Sequence, residues 1–177
     1  MPDETDILIV GAGQGGLSVS WYLTQAGLPH RVVDRGGVGQ AWTERWDSFC
    51  LVTPNWSIRL PGAEYAGDDP DGFMPRDAFV AYLRDWADGF AAPVEGGVDV
   101  TRIARRGEGF DVASSRGPIR ARSVVVATAT YQHPRFPAVA AQMPGDLLQL
   151  HAESYRGPGQ ARPGAVLVVG TGQTGCQ

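Results

Sequence analysis

The 177-residue chain contains no lysine; all 15 of its basic side chains are arginine. That absence excludes the lysine of a Walker-type P-loop and any lysine Schiff base, so a glycine turn in this chain must hold phosphate another way. Cysteine is almost as scarce. Cys50 and Cys176 stand far apart in sequence and form neither a C-x-x-C pair nor a metal-ligand spacing, which argues for a reduced, cytoplasmic protein with no metal site. A formal net charge of -4 leaves no basic patch for nucleic acid or an anionic membrane. No apolar run approaches membrane-spanning length. The acidic start, Met1 to Asp6, lacks the basic segment of a signal peptide.

What is present is an ordinary globular composition, 43% hydrophobic and 19% charged, in a chain long enough for one sizeable core. Small-molecule chemistry is the class these numbers leave. The stretch "DILIV" reads as a short strand, "GLSVSWYLTQAG" as a helix stopped by Gly27 ahead of Pro29, and "RVVD" as a second strand. From Arg35 to Gly67 no period persists, and the segment reads as connecting, site-forming loop. "PRDAFVAYLRDWADGF" then puts Phe79, Tyr82, Leu83, Trp86 and Phe90 on one helical face, with Pro75 at its first turn. "VDVTRIAR", "GFDVASS" and "GPIRARSVVVATA" read as an antiparallel β-meander feeding a final buried strand, Val124 to Ala127. A proline-rich stretch follows, and "AVLVVGTGQTG" starts a strand and turn again.

Two glycine fingerprints carry the chemistry. Gly11, Gly13 and Gly16 are spaced G-x-G-x-x-G between a strand and a helix, and Asp34 ends the second strand. The first glycine permits a tight turn, the second lets backbone approach a pyrophosphate, and the third lets the helix pack on the strand; the acid, roughly 20 residues on, is placed for a ribose. The helix N-terminus supplies N–H donors and a positive dipole end, so no lysine is needed. The second set, Gly170, Gly172 and Gly175, has a preceding strand pattern but neither helix nor acid after it. Two such units in one chain suggest two dinucleotides, one a prosthetic group and one a hydride donor.

The stretches "ILIVGAGQGGLSVSWYL", "GQAWTERWDSFCLVTPNWSIRLPG", "DDPDGFMPRDAFVAYL", "VVVATATYQHPRFP", "LQLHAESYRGP" and "VLVVGTGQTGCQ", in this order, cover nearly the whole chain. Together they resemble the N-terminal half of the flavin-containing monooxygenase-like FAD/NAD(P)-dependent oxidoreductases, especially the bacterial branch of potassium-transport flavoproteins. The resemblance implies an α/β, Rossmann-like FAD-binding domain with a small antiparallel meander over residues 1–160. Residues 161–177 would then open an NAD(P)H-binding domain. In that family the chain continues and returns to finish the flavin site, so this chain is expected to break off about halfway.

Carried across, Gly11, Gly13, Gln14, Gly15, Gly16, Asp34 and Arg35 would hold the ADP half of FAD, and Gln40, Trp42, Arg45, Thr53 and Val100 would line the cofactor. Core packing is the alternative for Trp42 and Trp46, and a surface ion pair for Arg45. Asn55 matches an asparagine beside the flavin ring and is the one candidate catalytic residue; a turn role is its alternative. "VVVATA" resembles a strand ending in A-T-G, which brings Ala127, Thr128, Ala129 and Tyr131 to the FAD. Ala129 replaces the glycine, tolerable if its φ stays negative. His151 and Tyr155 match the end of F-x-G-x-x-x-H-x-x-x-[YF], but Gly145 and Leu147 stand where Phe and Gly would be; His151 is expected to order the junction between domains.

The activity so implied is oxidation of a small organic substrate by O₂ through a C4a-(hydro)peroxyflavin, with NADPH or NADH as reductant. A disulfide reductase would need a redox-active cysteine pair, which Cys50 does not have. The alternative from another class is a non-catalytic FAD- or ADP-ribose-binding module.

Overall fold

The computed structural model describes residues 3–130 and 133–177. Strand β1 (Asp3–Val10) is followed by helix α1 (Gln14–Gln25) and strand β2 (Arg31–Asp34). β2 runs parallel to β1, with Ile9 opposite Val32 and Val10 opposite Val33. Gly27, at φ +66, ends the helix as its position before Pro29 predicts.

Beyond β2 lie a one-turn helix, α2 (Gln40–Thr43), and the two-residue strands β3 (Arg59–Leu60) and β4 (Ala63–Glu64), which pair with each other. Helix α3 spans Arg76–Gly89, and Pro75 is its N-cap rather than a first-turn residue. Phe79, Val80, Leu83, Trp86 and Ala87 are its buried residues, while Tyr82 and Phe90 pack half-buried at the rim.

Strand β5 (Val94–Gly96) adds to β2 in parallel. Across that junction Arg31 pairs with Glu95 at 2.6 Å, and this contact holds the carboxyl of Glu95 below its ordinary range. The meander is β6 (Val100–Arg106), β7 (Gly109–Ser114) and β8 (Gly117–Val126). It does not form a separate sheet, because the first half of β8 pairs antiparallel with β7 and parallel with β1 at once. One six-stranded sheet results, ordered β5-β2-β1-β8-β7-β6.

The end of β1, Leu8 to Val10, is covered on both faces, which is why Ile7 to Val10 reads as an unbroken apolar run, whereas Asp3, Glu4 and Asp6 stay exposed. Leu8 and Val10 lie with Val33 under Val98, Val112, Ile119 and Ala121 from the meander side, whereas Ile9 lies with Val32 under Val19 and Leu23 of α1. A third cluster joins Leu17 of α1 to Phe79, Leu83 and Trp86 of α3. Each cluster has one member flanking the turn between β1 and α1: Val10, Ala12 and Leu17.

The end of β8 departs from the expectation of a buried strand over Val124 to Ala127. The strand stops at Val126, which is 63% exposed. β7 pairs with β8 only as far as Ala121, so Ser123 to Val126 have β1 on one side and, among the described residues, no strand on the other. Among the described residues, no helix is long and apolar enough to cross a membrane.

Candidate functional site

The first glycine fingerprint forms the sharp turn from β1 into α1. Gly11 has φ +112, a region disfavoured for side chains, and its N–H donates to the carbonyl of Val33 at 2.8 Å. A Cβ on Gly11 would stand 2.4 Å from the carbonyl oxygen of Ala127, and one on Gly16 would stand 1.9 Å from that of Gly11. These two glycines therefore permit packing of strand, turn and helix. Gly13 and Gly15 differ, since a Cβ on either would meet nothing within 4 Å. Gly13 caps α1 with no side-chain hydrogen bond, and the first turn carries no acidic residue. The first-turn amides and the dipole end are thus left facing open space, the arrangement that binds anions.

Asp34 lies beside this turn. Its Oδ2 accepts from the N–H of Ala12 at 2.9 Å, and its Oδ1 accepts from the N–H groups of Gly36 and Gly37 at 2.8 and 2.9 Å. Its own carbonyl accepts from Val98 at 2.9 Å, and the N–H of Gly39 donates to the carbonyl of Ala12 at 3.1 Å. Sequence reasoning gave Asp34 to a ribose and missed Gly36, Gly37 and Gly39 altogether. Their signal was the glycine density just after the acid. Gly39 has φ +71, and the side chain of Gln40 covers Gly36 so closely that a Cβ there would clash.

The other expected residues scatter around this centre. Gln14 and Gly15 occupy the exposed first turn of α1. Arg35 pairs with Glu44 at 3.2 Å and Arg45 with Glu153 at 3.4 Å. Trp42 is half-buried against Phe79 and Phe49, with ring centroids 4.9 and 5.8 Å away, and Trp46 is buried against Phe49. Val100 begins β6, two residues after the Val98 amide that reaches Asp34. Thr53 is exposed, whereas Asn55 is 5% exposed and starts a 3₁₀ turn. Its Nδ2 donates to the carbonyl of Asp69 at 2.8 Å, and its Oδ1 is buried with no hydrogen-bond partner among the described residues. The side chain thus fastens the Asp69–Gly72 loop, and the backbone bond from Asn55 N–H to Gly72 adds to it.

Ala127 closes on the turn, its N–H donating to Val10 at 2.8 Å. Ala129 departs from expectation, for its φ is +59 rather than negative. The chain must leave the end of β8 in a left-handed bend that suits glycine, and Ala129 carries the strain. Replacing it, Ala129→Gly, is expected to raise stability by about 0.5–1 kcal/mol, the relief of the left-handed Cβ contact less the added entropy of the unfolded chain. Urea unfolding of the two proteins would show it as a higher midpoint at unchanged slope. Tyr131 lies outside the described residues.

The second fingerprint repeats the internal geometry of the first. Gly170 has φ +124, Gly172 caps a one-turn helix, α4 (Gln173–Cys176), and a Cβ on Gly175 would stand 2.3 Å from the carbonyl of Gly170. The strand expected before it does not form. Val166 to Val169 are 61–85% exposed and, among the described residues, pair with no neighbouring strand, so their β-rich sequence has no ladder to join. The Nε2 of Gln177 donates to the carbonyl of Cys50 at 3.0 Å; both cysteines are free. His151 accepts from the N–H of Glu153 through Nδ1 and lies against Phe136. The 151–157 segment then docks on the Arg45–Asp47 loop through the Arg45–Glu153 pair and a bond from Asp47 N–H to Arg156. Among the described residues no group of His, Cys, Asp or Glu could hold a metal ion.

The sequence profile of the pyridine nucleotide-disulphide oxidoreductases matches residues 8–177. The chain belongs to this family. A CzcO-like oxidoreductase of Geobacillus kaustophilus, itself uncharacterised, is 36% identical over all of this chain and 51% of its own length. An indole-3-pyruvate monooxygenase of rice, YUCCA1 of Oryza sativa subsp. japonica, is 29% identical over 96% of this chain and 43% of its own. Among solved structures, a flavin-containing monooxygenase from Stenotrophomonas maltophilia superposes with TM-score 0.76 at 29% identity, covering 89% of this chain and 48% of the other. The chain spans about half the length of the relatives it matches. The fold of the chain is the Rossmann-like FAD-binding type, its parallel sheet continued by an antiparallel meander.

Proposed function

We propose that residues 1–160 form the FAD-binding part of a flavin-dependent monooxygenase and that residues 161–177 open its NAD(P)H-binding unit. The observation that carries this reading is the division among the first glycines, with Gly11 and Gly16 packed tight and Gly13 and Gly15 facing open space. FAD fits that cradle: its pyrophosphate would meet the first-turn amides of α1, and its ADP half would lie along Asp34 and the Val98–Val100 stretch. Bound there, FAD would supply the redox chemistry, with NADPH or NADH as reductant and O₂ as oxidant of a small organic substrate.

The residues of the chain position and shield. Asn55 anchors the Asp69–Gly72 loop, the Gln40 side chain lies over Gly36, and Trp42 packs against Phe79. Monooxygenase chemistry is favoured over disulfide reduction because Cys50 and Cys176 form no C-x-x-C pair, and because named relatives at 29% identity are monooxygenases. A second reading, a non-catalytic FAD-binding module, draws on the same glycine turn, which would hold the cofactor with or without nicotinamide chemistry.

Titrating the purified chain with FAD while following NADPH and NADH absorbance separates the two roles. Weak, saturable FAD binding without nicotinamide oxidation is expected of the 177 residues by themselves. Steady NADPH oxidation with stoichiometric flavin would contradict the assignment of a divided site.

A further inference from the structure

The carboxylate of Asp34 is engaged by the protein's own backbone before any ligand arrives. An ionised carboxylate oxygen offers about two acceptor directions. Oδ1 uses both on Gly36 and Gly37, and Oδ2 uses one on Ala12. The two loops so joined are cross-tied by the Gly39 to Ala12 bond, and the strand end is held by Val98 on the carbonyl of Asp34. Gly36 and Gly37 sit where the chain turns back toward α2, and Ala12 is fully buried inside the glycine turn. The carboxylate thus bridges the turn that faces a pyrophosphate and the turn that would flank the adenosine.

We propose that Asp34 is a positioning residue, which locks the β1–α1 turn and the Gly36–Gly39 turn into one preformed cradle and has room for at most one hydroxyl of a bound ribose. Charge-assisted bonds to three amides hold the backbone more firmly than neutral ones. A glutamate, one methylene longer, would carry the carboxylate past this meeting point and could not keep all three donors. The ribose part of the proposal rests on the FAD reading above; the cradle part does not.

Amide hydrogen exchange of the cofactor-free chain tests the cradle. In Asp34→Ala the amides of Ala12, Gly36 and Gly37 are expected to exchange roughly tenfold faster or more, with Ile103 and Val112 in the meander unchanged. Asp34→Asn, which keeps the shape and one acceptor oxygen, is expected to speed only some of the three, and it serves should the alanine variant not fold. Unchanged exchange at all three amides would overturn the proposal. For the ribose, wild-type protein is titrated with FAD and with analogues lacking the adenosine 2′- or 3′-hydroxyl. At most one analogue is expected to bind more weakly, and a roughly tenfold loss with both would overturn the single-hydroxyl limit. If FAD itself does not bind, the functional reading fails while the exchange result still decides the role of Asp34.

Discussion

Gly16→Val is expected to cost on the order of 4 kcal/mol or more, a large share of the roughly 5–15 kcal/mol by which a domain is stable. The reason is positional. A Cβ at residue 16 would lie 1.9 Å from the carbonyl oxygen of Gly11, which is backbone fixed in turn by its bond to Val33 and by the nearby Ala127. No rotamer relieves a Cβ contact, so α1 would have to lift from β1 and uncover Leu17, which is fully buried. Gly15→Ala is the internal control. Its Cβ meets nothing, and alanine gains up to about 1 kcal/mol of helix propensity over glycine. Urea unfolding of the two variants should therefore move in opposite directions although they alter adjacent residues.

Gly13→Asp should separate stability from binding. Gly13 has φ −84 and ψ −175, an extended conformation open to any residue, and it caps α1 with no side chain. Aspartate is a strong N-cap, so the cofactor-free variant is expected to be more stable by about 0.5–1 kcal/mol. The same carboxylate would occupy the place of the pyrophosphate and oppose its charge at the helix N-terminus. FAD affinity is expected to fall at least about tenfold, or about 1.4 kcal/mol. A variant that melts higher and binds worse is hard to explain unless this turn is the anion site. Loss of stability without loss of FAD affinity would place the cofactor elsewhere.

Much of this site was legible because its signals are local. β1, α1 and β2 follow from a few dozen residues of apolar run, G-x-G-x-x-G and a glycine stop, and the geometry at Gly11 and Gly16 is that of a tight turn and of a helix packed close on its strand. The amphipathic period of α3 was equally plain. What could not be read depends on long-range neighbours. The exposure of Val126, for one, follows from where β7 stops pairing. Asp34 shows the limit most clearly. Its type and spacing pointed to a ribose, but whether its oxygens are free depends on how the Gly36–Gly39 loop folds back, a question of backbone direction that composition does not answer.

If the β1–α1 turn grips the ADP half of FAD, ADP must compete with FAD for it at equilibrium. FAD bound to the purified chain, followed by flavin fluorescence, is predicted to be displaced by ADP and left in place by FMN, which lacks the adenosine. Displacement by FMN but not by ADP, or no saturable binding of FAD, would contradict it.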